Sequence, residues 1–295
     1  MAPAWAEFTT MTDNATYNPM RPGRRRSLDI RQARYNVTEW GDAAAPTFIY
    51  LHGWADTGTT FQFVVDALQG DWHVVAPDWR GFGRSVVDCS SYWFPDYLAD
   101  LHALLDIYSG EEPARLVGHS MGANVAGLYA GAMPERVRAF VNVEGFGLAD
   151  SDPGDAPLRY RQWLEQAQAG PAFMIYPDMS SLAMRIAKRN PLMSADQADF
   201  VAREWGRVRD DGRIELRADP LHKLPNPVLY RRAEAEACWR AMTAEVLLIS
   251  GETSGIVPDQ ASGEAVEIGG AGHMLHFDAP ARLAATIEPF LRKYL

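Results

Sequence analysis

From residue 26 to residue 145 the chain alternates short apolar runs with longer stretches whose apolar residues recur at helical spacing. Arg26–Ile30 and Arg34–Trp40 read as two short strands closed by Gly41-Asp42. Pro46–Gly53, Trp72–Asp78, Ala114–Ser120 and Val137–Gly145 are nearly continuous apolar runs, the pattern of strands buried on both faces. Between them lie helical patterns: Thr60–Leu68, Pro95–Tyr108 (Leu98, Leu101, Leu104, Leu105 and Tyr108) and the small-residue stretch Met121–Met133. Strands separated by helices predict a parallel sheet covered on both sides.

This rhythm stops between residues 148 and 242, where helices are predicted without a convincing central strand. Tyr160, Trp163, Leu164 and Ala167 share one helical face. Ser194 with Gln197 has the spacing of a capping box and opens a helix with Val201, Trp205 and Val208 on one side. Strand and helix signals return with Glu245–Ser250, Glu264–Gly270 and a closing helix over Pro280–Tyr294. The expected organisation is an N-terminal arm (1–25), a core built from 26–147 and 243–295, and a helical insertion over 148–242.

Composition narrows the function. The 295 residues, 47% hydrophobic and 22% charged, suit a globular protein able to bury a large core. A net charge of −10 disfavours nucleic acid as a partner, and Arg24-Arg25-Arg26 reads as a solvated start to the first strand. Two cysteines, Cys89 and Cys238, are too few for a disulfide framework and fit a reducing compartment. No run is long enough to span a bilayer, and the first twenty residues lack the form of a secretory signal. A cytoplasmic location is therefore expected. No cysteine–histidine cluster suggests a metal, and no cofactor is expected.

The candidate chemistry centres on "LVGHSMGAN". Ser120 stands between Gly118 and Gly122 where an apolar strand meets a helix. A nucleophilic serine at such a junction needs a sharp, strained turn, and a Cβ two residues away on either side would clash. The base is expected late in the chain. His273, in the glycine-rich turn "GGAGH", is preferred over His276, which reads as a packing or capping histidine. Two N–H groups should hold an oxyanion: Met121, at the start of the helix after the nucleophile, and Trp54, after Gly53. His52 is expected to brace that loop.

Taken in order, "HGW", "DWRGFGRS", "GHSMG" and "GAGH" make the chain resemble the α/β-hydrolase superfamily over about residues 26–295. "LHGWADTGTTFQFVVDAL" looks most like the serine-hydrolase-like branch, related to haloalkane dehalogenases and epoxide hydrolases. Those relatives carry an aspartate as nucleophile, so Ser120 points instead to acyl transfer to water. The resemblance implies a mostly parallel eight-stranded sheet with helices on both faces and a helical cap inserted between strands six and seven. It places Asp78 at a structural position. It also implies an acid in the loop "GETSGIVPD", where the matching position holds Ser254. Two replacements are open. Glu252 is a neighbour in that loop. Glu144 closes the preceding strand 24 residues after Ser120, the separation the resemblance implies for an acid moved there. A carboxylate at the end of an apolar strand needs a cationic or N–H partner, which His273 would supply.

The resulting expectation is a serine hydrolase using Ser120, His273 and Glu144, with Glu252 as alternative acid. Its substrate would be a small or medium hydrophobic ester, thioester or lactone. Trp163, Phe173, Met174, Tyr176, Met179, Met184, Trp205 and Trp239 would form the cap's core and roof the pocket. A C–C bond hydrolase on the same residues, or a non-catalytic ligand-binding protein of this fold, remains open on sequence alone.

Overall fold

The computed structural model describes residues 17–258 and 263–295; residues 1–16 of the expected arm lie outside the described residues. In chain order, the first half contains β1 (Arg24–Ile30), β2 (Ala33–Trp40), β3 (Thr47–Leu51), α1 (Gln62–Ala67), β4 (His73–Pro77), β5 (Val86–Val87), α2 (Pro95–Tyr108), β6 (Ala114–His119), α3 (Met121–Ala132) and β7 (Val137–Val143). The intervening segment contains α4 (Ala156–Ala169), α5 (Met179–Arg189), α6 (Ala195–Trp205), β8 (Gly206–Val208), β9 (Ile214–Leu216) and α7 (Arg232–Ala241). The chain closes with β10 (Glu245–Gly251), β11 (Glu264–Ile268), α8 (Leu275–Asp278) and α9 (Pro280–Arg292).

The main sheet has the order β1-β2-β4-β3-β6-β7-β10-β11, with the two-residue β5 paired to β2. β1, β2 and β5 pair antiparallel and every pair from β4 to β11 is parallel. The sheet is therefore mostly parallel, as expected, with β5 an addition too short to leave a hydrophobic signature.

Period-two alternation divides each central strand between two cores. Ile49 and Leu51 of β3, Val75 of β4 and Leu116 of β6 join Leu101, Leu104, Ala126 and Ala130 of α2 and α3. Phe48, Tyr50, Val74 and Val117 face the other way, against Val64, Leu283 and Ile287 of α1 and α9. Burial on both faces explains why these strands read as unbroken apolar runs. Their C-terminal ends gather on one edge, and the order reverses beside β3, because β4 lies on one side of it and β6 on the other. Crevices at such a reversal are where ligands of open α/β sheets bind.

The segment 148–242 differs from expectation in three places. It holds an antiparallel hairpin, β8–β9, that the sequence does not announce. Val208 lies in that hairpin, 68% exposed, because α6 ends at Trp205 and Gly206 turns the chain into β8. Met174 and Met184 are 60% and 66% exposed, so neither belongs to the segment's core. That core comes from Leu182, Ile186, Val201, Ala202 and Ile214, with Tyr176, Met179 and Trp205 of the expected set packed against it, and it runs on to Phe63 and Phe277 below. Polar ties reinforce the seating. Glu204 is clamped by Arg25 and Arg84, each at 2.7 Å, so Arg25 of β1 anchors the segment. Asp219 accepts from Tyr92 at 2.9 Å, and the His222 ring is stacked between Phe82 and Tyr92. The Ser194–Gln197 capping box forms with both of its hydrogen bonds. By contrast α4 buries none of its residues; Tyr160 and Leu164 on its apolar face are 52% and 60% exposed.

Candidate active site

The strand β6 runs straight into α3, and Ser120 is the single residue between them. It adopts φ 51° and ψ −115°, a left-handed backbone conformation that costs a side-chain-bearing residue of order 1–3 kcal/mol. The surroundings enforce it. Ser120 N–H donates to the Val143 carbonyl at 2.8 Å, and the Ser120 carbonyl accepts from Asn124 N–H at 3.0 Å. A Cβ on Gly122 would fall on the Leu51 carbonyl, and one on Gly118 would sit 2.5 Å from Ala123 Cα. Both flanking glycines are thus required by close backbone approach, which is the steric reason for G-x-S-x-G.

Three strand ends then converge. His273, after β11, places Nε2 3.1 Å from Ser120 Oγ. Its Nδ1 lies 3.1 Å from Glu144 Oε2. Glu144 follows β7 with φ 60°, and its side chain is fully buried. Its remaining oxygen, Oε1, accepts from Gly251 N–H at the end of β10 at 2.7 Å. The carboxylate therefore has the partners that burial demands. Glu252 points elsewhere, with Oε2 accepting from Gly270 N–H at 2.6 Å at an exposed turn. Ser254 accepts from Ile256 N–H within its own loop.

The loop after β3 completes the edge. A Cβ on Gly53 would lie 3.2 Å from Ser120 Cβ, so the Gly53–Trp54 peptide runs directly beside the serine. Met121 is the first residue of α3, so its N–H has no intrahelical acceptor. His52 braces the loop from beneath. Trp79 N–H donates to His52 Nε2 at 2.8 Å, which leaves Nδ1–H to donate to the Gly53 carbonyl at 2.7 Å. Burial lowers the pKa of this imidazole and keeps it neutral. Asp78 is wholly buried and accepts from Gly58 N–H, Arg84 N–H and Asn36 Nδ2, a structural knot away from the serine. Trp54 is half-exposed, with its ring 6.1 Å from that of Phe173.

The sequence reading missed two groups. His119, immediately before Ser120, and Asp56 are buried beneath the site with His276. His276 packs as expected, its ring against those of Tyr50, His119 and Phe277, and it also has a polar partner: its Nε2 lies 3.0 Å from Asp56 Oδ2. Asp56, His119 and His276 each bring one ligating atom within 4.8 Å of the others, the one such grouping among the described residues. Within the protein, Asp56 Oδ2 bonds to His276 Nε2 and His119 Nε2 bonds to the His273 carbonyl. Only spatial proximity joins residues 56, 119 and 276, so no local motif marks them.

A family model described as the alpha/beta hydrolase fold matches residues 46–280. The chain belongs to the α/β-hydrolase fold family. Among its relatives is a serine hydrolase-like protein of Danio rerio, 30% identical over 192 residues, or 60% of this chain and 56% of that one. The chain thus matches little more than half the length of that relative. A 2-(acetamidomethylene)succinate hydrolase of Mesorhizobium japonicum is 25% identical over 232 residues, 79% of each chain. Among solved structures, the thioesterase domain from the curacin biosynthetic pathway superposes with a TM-score of 0.81 at 24% identity, covering 90% of this α/β-hydrolase and 99% of that domain. No helix among the described residues is long and apolar enough to cross a membrane.

Proposed function

We propose that this α/β-hydrolase cleaves carboxylic esters or thioesters through an acyl-enzyme on Ser120. The observation that carries the reading is the continuous chain Ser120 Oγ–His273–Glu144, both contacts at 3.1 Å, built on a strained nucleophile backbone. Glu144 accepts from His273 Nδ1–H, so Nε2 is left free to take the serine proton as Oγ attacks the acyl carbon. The amides of Trp54 and Met121 hold the oxyanion that forms. Imidazolium Nε2–H then protonates the leaving alcohol or thiol, the C–O or C–S bond breaks, and the acyl group stays on Ser120. Water repeats the cycle: His273 removes its proton, its oxygen attacks, and the acid departs as Oγ is reprotonated. Backbone donors of this kind are typically worth about 2.7–4 kcal/mol of barrier each. The half-exposed Trp54 beside Phe173 supports a hydrophobic acyl or alcohol group. The segment 148–242, seated over this edge, acts as the cap.

A fluorophosphonate probe tests the reading without a guess at the substrate. One adduct on the Ser120 peptide, lost in Ser120→Ala, is expected. Folded protein that takes no adduct refutes an activated serine and returns the chain to ligand binding.

A further inference from the structure

The network beneath the site joins three parts of the molecule that the reaction needs in register. His119 Nε2 lies 2.8 Å from the backbone carbonyl of His273. Its other nitrogen, Nδ1, has no partner among the described residues. Burial lowers the His119 pKa well below that of a free imidazole, so the ring is neutral. With Nδ1 unprotonated, Nε2–H donates to the His273 carbonyl. The nucleophile turn therefore grips the base loop by its backbone.

The second grip lies three residues on. His276 Nδ1 also has no partner among the described residues, and Nε2–H donates to Asp56 Oδ2. Both side chains are 1% exposed. The other oxygen of Asp56, Oδ1, accepts from Thr57 N–H at 2.8 Å, Thr60 Oγ1 at 2.7 Å and Trp205 Nε1 at 2.9 Å. Trp205 is the last residue of α6, in the cap, and its ring lies 6.1 Å from that of Phe277, the neighbour of His276. A path of direct contacts thus runs from cap to base loop: Trp205, Asp56, His276, and along the backbone to His273.

Stability alone is a poor reason for this arrangement. Replacing a buried ion pair with apolar side chains of equal volume is often neutral or stabilising. The pair does give direction. His273 is 39% exposed on its side chain, in the turn between β11 and α8. Its two functional contacts, at 3.1 Å, leave little room for displacement. A misplacement of about 1 Å can cost about a hundredfold in rate.

We propose that Asp56 and His276 are positioning residues for the base loop, and that the Trp205–Asp56 bond makes the alignment of His273 depend on how the cap is seated. This rests on the reading of Ser120, His273 and Glu144 as a triad.

The test compares the pseudo-first-order rate of fluorophosphonate labelling at Ser120 in the full-length protein and in Trp205→Phe, His276→Leu and His276→Gln, per folded molecule, with Tm recorded for each. Trp205→Phe keeps an aromatic ring beside Phe277 but removes the N–H along with part of the indole; labelling is expected to slow about tenfold, well beyond what the accompanying fall in Tm accounts for. His276→Leu is expected to slow about a hundredfold. His276→Gln, whose amide can still donate to Asp56, recovers most of that rate. On any ester turned over, kcat falls in Trp205→Phe while KM holds. Wild-type labelling with Trp205→Phe at the same rate, or with His276→Gln as slow as His276→Leu and rates that follow Tm, overturns the positioning role and leaves the triad standing. If His276→Leu does not fold, Trp205→Phe and His276→Gln decide the matter. Wild-type protein unlabelled at Ser120 overturns the triad, and the positioning role with it.

Discussion

Glu144→Gln is the substitution whose effect the geometry fixes most tightly. The side chain is fully buried and the replacement is isosteric, so packing is retained. Its orientation is fixed as well. Gly251 N–H points at Oε1 from 2.7 Å and needs an acceptor there. The glutamine oxygen must take that place, because the flipped amide would set two donors against each other. The NH2 group then faces His273 Nδ1, where the carboxylate stood at 3.1 Å. A donor at that point makes Nδ1 an acceptor and moves the ring proton to Nε2, the nitrogen that must receive the serine proton. The base is thereby blocked by its tautomer, with its position unchanged. Loss of a triad acid in this manner costs about 10⁴ in kcat, or about 5 kcal/mol of barrier. The assay is hydrolysis of a short-chain p-nitrophenyl ester, with fluorophosphonate labelling as a second readout and Tm as the control for folding. Glu252→Gln, at an exposed turn, should leave kcat within a few-fold of wild type. A Glu144→Gln enzyme within tenfold of wild type, or a Glu252→Gln enzyme that is inactive, would refute the assignment of the acid.

Three further outcomes follow from the same geometry. Gly53→Ala places a methyl group 2.9 Å from His119 Nδ1 and 3.2 Å from Ser120 Cβ, so the loop must shift and withdraw the Trp54 amide; kcat should fall by about 10²–10³, measured on the same ester. His222 has its pKa lowered by burial to about 4, so the unfolded chain takes up a proton that the folded one refuses between the ordinary histidine value and that point; its contribution is complete above pH 6.5 and is lost as pH falls, about 2 kcal/mol by pH 5. Urea unfolding at pH 7 and pH 5 should show that loss, and His222→Phe, which keeps the stack without the titrating ring, should flatten it. For Asp56, burial alone would raise the pKa, but the His276 hydrogen bond and charge outweigh it and hold the group at about 2. Its stabilisation is present above about pH 4 and disappears as pH falls towards 2, a midpoint that acid unfolding of Asp56→Asn should lack.

The features legible in the sequence share a physical basis: each is enforced by its immediate neighbours in the chain. Ser120 is visible because its backbone conformation requires Gly118 and Gly122 two residues away. The central strands are visible because burial on both faces erases their polar positions. The capping box is visible because its two bonds span three residues. Glu144 was harder, since the strand ends β7 and β10 had to be placed side by side before one carboxylate could be preferred, and Gly251 N–H does that only in three dimensions. The cap shows the opposite case. Its aromatic and methionine content suggests a roof and a core of its own, but Met174 and Met184 are exposed, and the segment shares its interior with the core below through Phe63 and Phe277. Burial there is decided by docking, which leaves no periodicity of its own. Asp56, His119 and His276 are the extreme of this trend. Each sits one to three residues from an expected site residue, yet their meaning lies in contacts spanning 149, 154 and 220 residues of chain. Chemistry at the serine is written locally, whereas the alignment that would make it productive is written between elements. Variants of that second layer should therefore be the ones that separate rate from stability.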